Sequence, residues 1–338
     1  MPNGLEIDHT SRLNGVIASY SEHVLVCTGQ DDWASKIEDE NGGDNLVADL
    51  GDIILRKGVR GDLKDKRFRG VSLLNSSFPS SASPLEDTEC NSAYLLPSFK
   101  YVPFLPRKYK VGLIAIAQGY LVREDARMER IKLAQRGNNK HSRDIVRQNS
   151  RDTACQKILS SVQDVRDVMV LICGHGGRDA RCGTYGPLLR DEFEKKLAQA
   201  GIEVARGAVE VHVEKKVMPW EKTQKTKEVP WWKKFKQEAM EKRKKTARVG
   251  LISHIGGHSF AGNVIIYIPP DYEGPGGEKH ELAGCGIWYG RVEPKHVEGL
   301  IEETIVKGVV VQDMCRGILD SERKIERMRP NEEQAKAA

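Results

Sequence analysis

Short apolar runs of strand length recur along the chain and are separated by polar or glycine-rich segments. Continuous apolar runs of this length are typical of buried strands, although the pattern alone does not distinguish them from a buried helix. Val209, Val211 and Val213 alternate with polar residues, which predicts a further, half-buried strand. The continuous runs predict buried strands at residues 23–28, 111–117, 168–173, 249–252, 263–268 and 285–290.

Two other segments have the spacing of helices. In residues 189–197 and 297–305, apolar side chains recur every four positions and so share one helical face. Gly201 follows the first of these segments as a stop signal. Asp31 and Asp32 precede Trp33, and because aspartate caps free backbone N–H groups we also predict the start of a helix there.

The order of these elements predicts an α/β protein. A length of 338 residues suggests two domains, and we place them at residues 1–150 and 151–320, followed by a polar tail at 321–338. Glycine- and serine-rich residues 39–52 and 75–92 are predicted as loops. The second domain is compatible with a thioredoxin-like mixed sheet flanked by helices, although the order alone fits other α/β folds.

Charge is concentrated in one segment. The chain has 53 Lys and Arg against 48 Asp and Glu, but residues 213–248 alone contain 13 basic and five acidic residues, so the remainder is slightly acidic. Basic residues interleaved with Trp220, Trp231 and Trp232 can dock on anionic lipid or on an acidic redox partner, or form a solvated loop. Nucleic-acid binding is not indicated, because no recognised module surrounds the segment.

Two further global features narrow the class of protein. No apolar run approaches the roughly 18 residues of a membrane helix, so we predict no transmembrane segment. Seven cysteines, an odd number in mostly apolar surroundings, indicate reduced thiols rather than a disulfide framework.

Two glycine-rich loops, each directly after a predicted strand, contain the candidate ligands. One loop has Cys173 and Cys182 in a C-x8-C spacing, and the other has His254 and His258 in an H-x3-H spacing. Two thiolates and two imidazoles suit either a tetrahedral zinc ion or a 2Fe-2S cluster. Structural zinc sites commonly use a shorter Cys spacing, so eight intervening residues favour the cluster.

Other interpretations of these residues stay open. A thiol-disulfide oxidoreductase would use Cys173 with Cys182, or Cys27, although none of the cysteines forms a C-x-x-C pair. A zinc-stabilised binding module would use the same four ligands around one ion. His175, between the two cysteines, is an alternative ligand, a residue that supports the ligands or a residue that faces solvent.

The segments CGHGGRDARCG and SHIGGHSFAGN, with GIWYGRVEP after them and HVLVCTGQDDW near the start, resemble the sucrase/ferredoxin-like family over roughly residues 20–320. The resemblance implies that the second domain is a thioredoxin-like ferredoxin and that residues 213–248 are an insertion in it. It also implies a 2Fe-2S cluster held by Cys173, Cys182, His254 and His258.

The same resemblance implies electron transfer or redox regulation with redox donor and acceptor proteins that the sequence does not identify, rather than turnover of a substrate. It implies a mitochondrial location, with a cytoplasmic one as the alternative. Replacing two thiolates by neutral imidazoles makes a cluster easier to reduce: Rieske centres lie at about −150 to +300 mV, against about −400 mV for plant-type ferredoxins. Because an imidazole ligand keeps a second, titratable nitrogen, we expect reduction to depend on pH.

Overall fold

A single mixed β-sheet organises the chain in the computed structural model, which describes residues 5–54, 68–83, 90–106, 110–122, 127–128, 131–132, 151–159, 161–211 and 245–327. The strands are β1 Glu22–Cys27, β2 Val71–Ser76, β3 Cys90–Leu96, β4 Lys100–Pro106, β5 Gln163–Asp164, β6 Val168–Cys173, β7 Glu203–Val204, β8 Thr246–Ile252, β9 Val264–Tyr267, β10 Gly286–Tyr289, β11 Cys315–Leu319 and β12 Ile325–Glu326.

Helices cover both faces of this sheet, which confirms the predicted α/β class with a mixed sheet flanked by helices. They are α1 Leu46–Ile54, α2 Lys110–Ile116, α3 Ala180–Gln199 and α4 Val297–Leu300, the last continuing as a π-helical turn over Ile301–Val306. Residues 151–158 are also helical. The apolar spacing that predicts helices at 189–197 and 297–305 is confirmed by α3 and by α4 with its extension.

The two halves of the sheet have the same strand order. In the first half, β1 pairs in parallel with β2 and antiparallel with β3, which pairs antiparallel with β4. In the second half, β6 pairs in the same senses with β8 and β9, and β9 pairs antiparallel with β10. A helix connects the parallel strands in each half, and a helix follows the last strand. The thioredoxin-like order that we predict for the second half is therefore present in both.

The halves join edge to edge through β2 and β8. Only Ser76 and Ile252 form a ladder pair there, and serine side chains extend the contact on either side. Ser253 Oγ accepts from the Asn75 N–H at 3.1 Å, and Ser77 Oγ accepts from the Leu251 N–H at 2.9 Å. The side chains thus replace backbone acceptors where the two strands diverge.

Three groups of buried apolar side chains fill the space around the sheet. One belongs to the second half and includes Phe193 of α3, and another belongs to the first half and includes Leu50 of α1. The third is shared: Leu25 and Tyr94 of the first half pack in the same cluster as Cys173 and Cys182 of the second. The candidate cysteine ligands therefore lie at the common core of both halves.

Several local predictions are wrong, each for a physical reason. The apolar run at 111–117 is helix α2, with Val111 and Ile114 exposed and Leu113 buried, because a short apolar run fits a partly buried helix as well as a strand. The predicted loops at 39–52 and 75–92 contain most of α1, the end of β2 and the start of β3. Their polar residues are paired in the fold, as with the buried Ser92, whose Oγ donates to Pro103 O.

Two further predictions differ from the structure. No helix begins at Asp31–Trp33, because the Asp32 carboxylate accepts from Gly177 in the second half instead of capping a helix. Val209 and Val211 lie in irregular chain, with Val209 O accepting from Ser81 Oγ at 2.5 Å, and Val213 lies outside the described residues.

Some predictions fall on residues that the structure does not describe. The proposed boundary near residue 150 lies among them, as do most of the basic segment 213–248 and residues 328–338 of the tail. The described end of the basic segment belongs to β8, and the described start of the tail contributes β12. Within the described ranges, no helix combines the length and the apolar character that crossing a membrane requires.

The junction between β2 and β8 leads to a stability prediction. Ser253→Ala removes the acceptor of the buried Asn75 N–H, and an unpaired buried donor costs about 1–3 kcal/mol. We expect the free energy of unfolding, measured with urea, to fall by this amount. The exposed Ser321→Ala serves as the control, and an equal, small effect of both substitutions would show that the junction does not depend on this hydrogen bond.

Candidate functional site

The cysteine loop connects β6 to α3 across the second half of the sheet. Cys173 is the last residue of β6, and Cys182 lies in the first turn of α3, where Asp179 caps the helix by accepting from the Arg181 N–H. Both cysteines are about 1% exposed and carry free thiols. The strand end and the helix start therefore bring two sulfurs, nine positions apart in sequence, into one buried place.

Glycines make this approach possible. A Cβ on Gly183 would lie 2.5 Å from the Gly176 Cα, and a Cβ on Gly186 would lie 2.6 Å from the Gly174 Cα. Real Cβ atoms do not approach other atoms so closely, so any larger residue would push the first turns of α3 away from the loop. The loop sequence thus sets the distance between the two thiols.

The two thiols influence each other's ionisation. Hydrogen bonds, the largest from Cys182 and a smaller one from His254, lower the pKa of the Cys173 thiol well below its ordinary value despite burial. The hydrogen bond with Cys173, together with burial, raises the pKa of Cys182. The two thiols therefore titrate as a pair, in which the loss of a first proton is favoured and the loss of the second is opposed.

The histidine loop follows β8, the strand next to β6. Gly256 and Gly257 have φ of +86° and +75°, in the left-handed region that glycine adopts without strain. They turn the chain so that the rings of His254 and His258 lie with their centroids 5.4 Å apart. His254 is half-buried and His258 is exposed.

One atom of His254 lacks a partner. Its Nδ1 is buried and makes no hydrogen bond with any residue that the structure describes. Buried polar atoms are nearly always paired, so an unpaired ring nitrogen in the interior requires an explanation. Two imidazoles on one tetrahedral metal ion at about 2.1 Å would have centroids about 5 to 5.5 Å apart, a separation that these two rings already have.

His175 supports the ligands and is not one of them in this arrangement. It is about 1% exposed, its Nδ1 accepts from the backbone N–H of His254 at 3.1 Å, and its Nε2 lies 2.9 Å from Ala34 O. Both ring nitrogens are therefore used, with the proton on Nε2. His175 fixes the backbone of His254 and connects it to the first half of the chain.

Residues of the first half also contact the cysteine loop and fix its position. The Asp32 carboxylate accepts from the Gly177 N–H at 3.0 Å, and a Cβ on Gly177 would lie 2.1 Å from Trp33 O. The pairing of Asp32 with Gly177 has no local sequence signal, because the two residues are 145 positions apart. The buried Arg316 has no local sequence signal either; burial lowers the pKa of its guanidinium to about 10, and Cys173 and Cys182 act in the opposite direction.

The candidate ligands lie as two neighbouring pairs, thiols in the core and imidazoles towards the surface. Within the described ranges, no set of three or more His, Cys, Asp or Glu side chains has the arrangement of a preformed single-ion site. The residues nevertheless have the chemistry of metal ligands. His254 has a buried ring nitrogen without a described partner. Its side chain also hydrogen-bonds with Cys173, whose thiol has a lowered pKa.

Cys27 occupies the position in the first half that Cys173 occupies in the second, at the end of the central parallel strand. Burial raises the pKa of the Cys27 thiol, and a side-chain hydrogen bond with Ser76 acts in the opposite direction. It is about 1% exposed and forms no disulfide. These are the properties of a packing cysteine rather than of a reactive one.

Known proteins are similar to this chain over most of its length. A family model described as sucrase/ferredoxin-like matches residues 13–317. The Altered inheritance of mitochondria protein 32 of Debaryomyces hansenii is 26% identical over 325 residues, which are 94% of this chain and 89% of that protein. The protein of the same name from Meyerozyma guilliermondii is 35% identical over 158 residues, 47% of this chain and 37% of that protein. No solved structure matches the chain significantly.

The role of His175 can be tested by stability. His175→Phe keeps a ring of similar size but removes the partner of the part-buried His254 N–H and of the buried Trp33 carbonyl. We expect the free energy of unfolding in urea to fall by about 2 kcal/mol or more, because each unpaired buried group costs about 1–3 kcal/mol. His9→Phe, at an exposed position, is the matched control. Equal stability of the two variants would remove His175 as a support of the loop.

Proposed function

Because this chain belongs to the sucrase/ferredoxin-like family, we propose that it binds a 2Fe-2S cluster through two thiolates and two imidazoles and acts in electron transfer or redox regulation. The proposed ligands are Cys173, Cys182, His254 and His258. The observation that carries the proposal is the buried, unpartnered Nδ1 of His254 on an imidazole next to the cysteine pair.

Burial of the thiols supports this proposal over free thiol chemistry. Both sulfurs lie under α3 at about 1% exposure, so a disulfide substrate has no direct access to them. A metal group bound in the core needs no such access, and it requires thiolates. The low pKa of Cys173 supplies one thiolate, and coordination itself deprotonates the second thiol.

The pairwise arrangement supports two metal ions over one. The thiols come from β6 and α3, the imidazoles come from the loop after β8, and Cys173 hydrogen-bonds with His254 between the two pairs. One ion needs four donors at a single point, whereas a two-iron cluster takes one pair of ligands on each iron.

The positions of the candidate ligands determine where protons can enter and leave the site. When bound, a 2Fe-2S cluster accepts and releases one electron. The exposed His258 lies at the surface, where a ring nitrogen that does not bind metal can exchange its proton with water. The buried cysteines exclude water from the opposite side. Proton exchange is therefore confined to the histidine side of the site.

The cellular setting is proposed from the relatives. Their name, Altered inheritance of mitochondria protein 32, refers to mitochondria, and we place this chain in association with mitochondria on that basis. The basic segment 213–248 would provide a docking surface for an acidic redox partner or an anionic membrane.

Metal and sulfide analysis tests the proposal directly. Protein purified without oxygen should contain about two irons and two acid-labile sulfides per chain and give a Rieske-like EPR signal when reduced. His254→Ala or His258→Ala should lose or destabilise this signal, whereas the exposed His9→Ala should not. One zinc ion per chain would instead establish a binding module, and metal-free protein that exchanges disulfides would establish a thiol oxidoreductase.

The imidazole ligands also predict a dependence on acid. Histidine must be neutral to bind a metal, so lowering the pH from about 8 to about 5 should release the cluster progressively. Visible absorbance during a pH titration measures the loss. A His258→Cys variant should hold its absorbance to lower pH, and equal acid sensitivity would contradict imidazole ligation.

A further inference from the structure

Arg316 is a charged side chain enclosed in the interior next to the candidate site. It lies on β11 and is about 2% exposed. Its Nε donates to Val16 O at 2.8 Å, and its Nη1 donates to Asn263 Oδ1 at 2.6 Å and to Gly256 O at 3.2 Å. All three acceptors are neutral, so they satisfy the hydrogen bonds of the guanidinium without cancelling its charge.

No carboxylate pairs with Arg316 in the part of the chain that the structure describes. Other partly buried arginines differ: Arg248 pairs with Asp167 at 2.8 Å, and Arg181 pairs with Asp179 at 2.8 Å. An isolated buried charge is strongly unfavourable, so a fold that encloses one needs a compensating negative charge nearby. Among the described residues, therefore, no carboxylate serves as the counter-ion of Arg316.

The candidate cysteine ligands act electrostatically on Arg316. Burial lowers the pKa of its guanidinium to about 10, while Cys173 and Cys182 act in the opposite direction. The group stays protonated at neutral pH. Trp288 and Phe260 lie on it with their rings 5.5 and 5.9 Å from the guanidinium carbon, which excludes water from its surroundings.

The same guanidinium contacts the histidine loop. Gly256, whose carbonyl it binds, lies between His254 and His258 in sequence. A Cβ on Gly257 would lie 2.7 Å from Nη2 of Arg316, so glycine allows the loop backbone to pack directly on the guanidinium. Asn263 completes this contact, since its Nδ2 donates to Gly257 O at 2.8 Å.

We propose that Arg316 is a fixed, buried positive charge that raises the reduction potential of the metal group at this site while it positions the histidine loop. This inference rests on the proposed cluster. Reduction adds one negative charge, and a cation held in a region of low dielectric stabilises the reduced form more than the oxidised form. Arg316 binds no metal in this scheme and is a positioning and charge-compensating residue.

Equilibrium redox titrations of the cluster-containing protein test this role. Arg316→Gln removes the charge, and Asn263→Asp keeps the guanidinium but places a carboxylate on it. We expect both variants to disfavour reduction at least tenfold in the equilibrium constant, where each factor of ten equals about 59 mV for one electron. Arg316→Lys keeps the charge and should stay within about threefold of the unaltered protein. Arg206→Gln, at an exposed surface position, is the control for loss of one positive charge.

The outcomes separate this inference from the proposed function. Iron and sulfide analysis of the unaltered protein decides the function, and absence of the cluster there would overturn both. With the cluster present, an unchanged potential in Asn263→Asp would overturn the role of Arg316 alone. Equal shifts in Arg316→Gln and Arg316→Lys would assign the effect to lost hydrogen bonds and would also overturn it. If Arg316→Gln fails to retain the cluster, Asn263→Asp decides.

Discussion

The direct contact between glycine backbones at the start of α3 is the constraint on which the site depends. Gly183 lies on Gly176 and Gly186 lies on Gly174, with no room for a side chain between them. This contact brings the first turn of α3, and with it Cys182, onto the end of β6. The pairing of the thiols, the low pKa of Cys173 and the burial of the site all follow from it.

The strand order is repeated in the two halves, but the described residues of the first half do not repeat the candidate site. Cys27 ends β1 as Cys173 ends β6, and Thr28 and Gly174 donate to the equivalent positions of the neighbouring parallel strands. In the first half, however, the side-chain hydrogen bond of Cys27 involves Ser76 rather than a second cysteine. The first half instead contributes support, through Asp32 to the cysteine loop and through Ala34 to His175.

Local patterns predict the second half well and the first half poorly. The continuous apolar strand β6, the helical spacing in α3 and the two glycine-rich ligand loops are all visible over short stretches of sequence. The strand β2 and the helix α1 are not, because their polar residues acquire partners only in the folded sheet, as with Asn75 and Ser253. The burial of Arg316 is not predicted for the same reason, because it depends on residues up to 300 positions away.

The site is asymmetric, and the asymmetry follows from where its two loops leave the sheet. The cysteine loop returns into α3 and is covered by it, whereas the histidine loop turns outward at Gly256 and Gly257 and leaves His258 exposed. The candidate thiol ligands are therefore enclosed where the dielectric is low, and the candidate imidazole ligands lie nearer to solvent. Charge on the buried side must be balanced by the protein itself, since solvent ions cannot reach it.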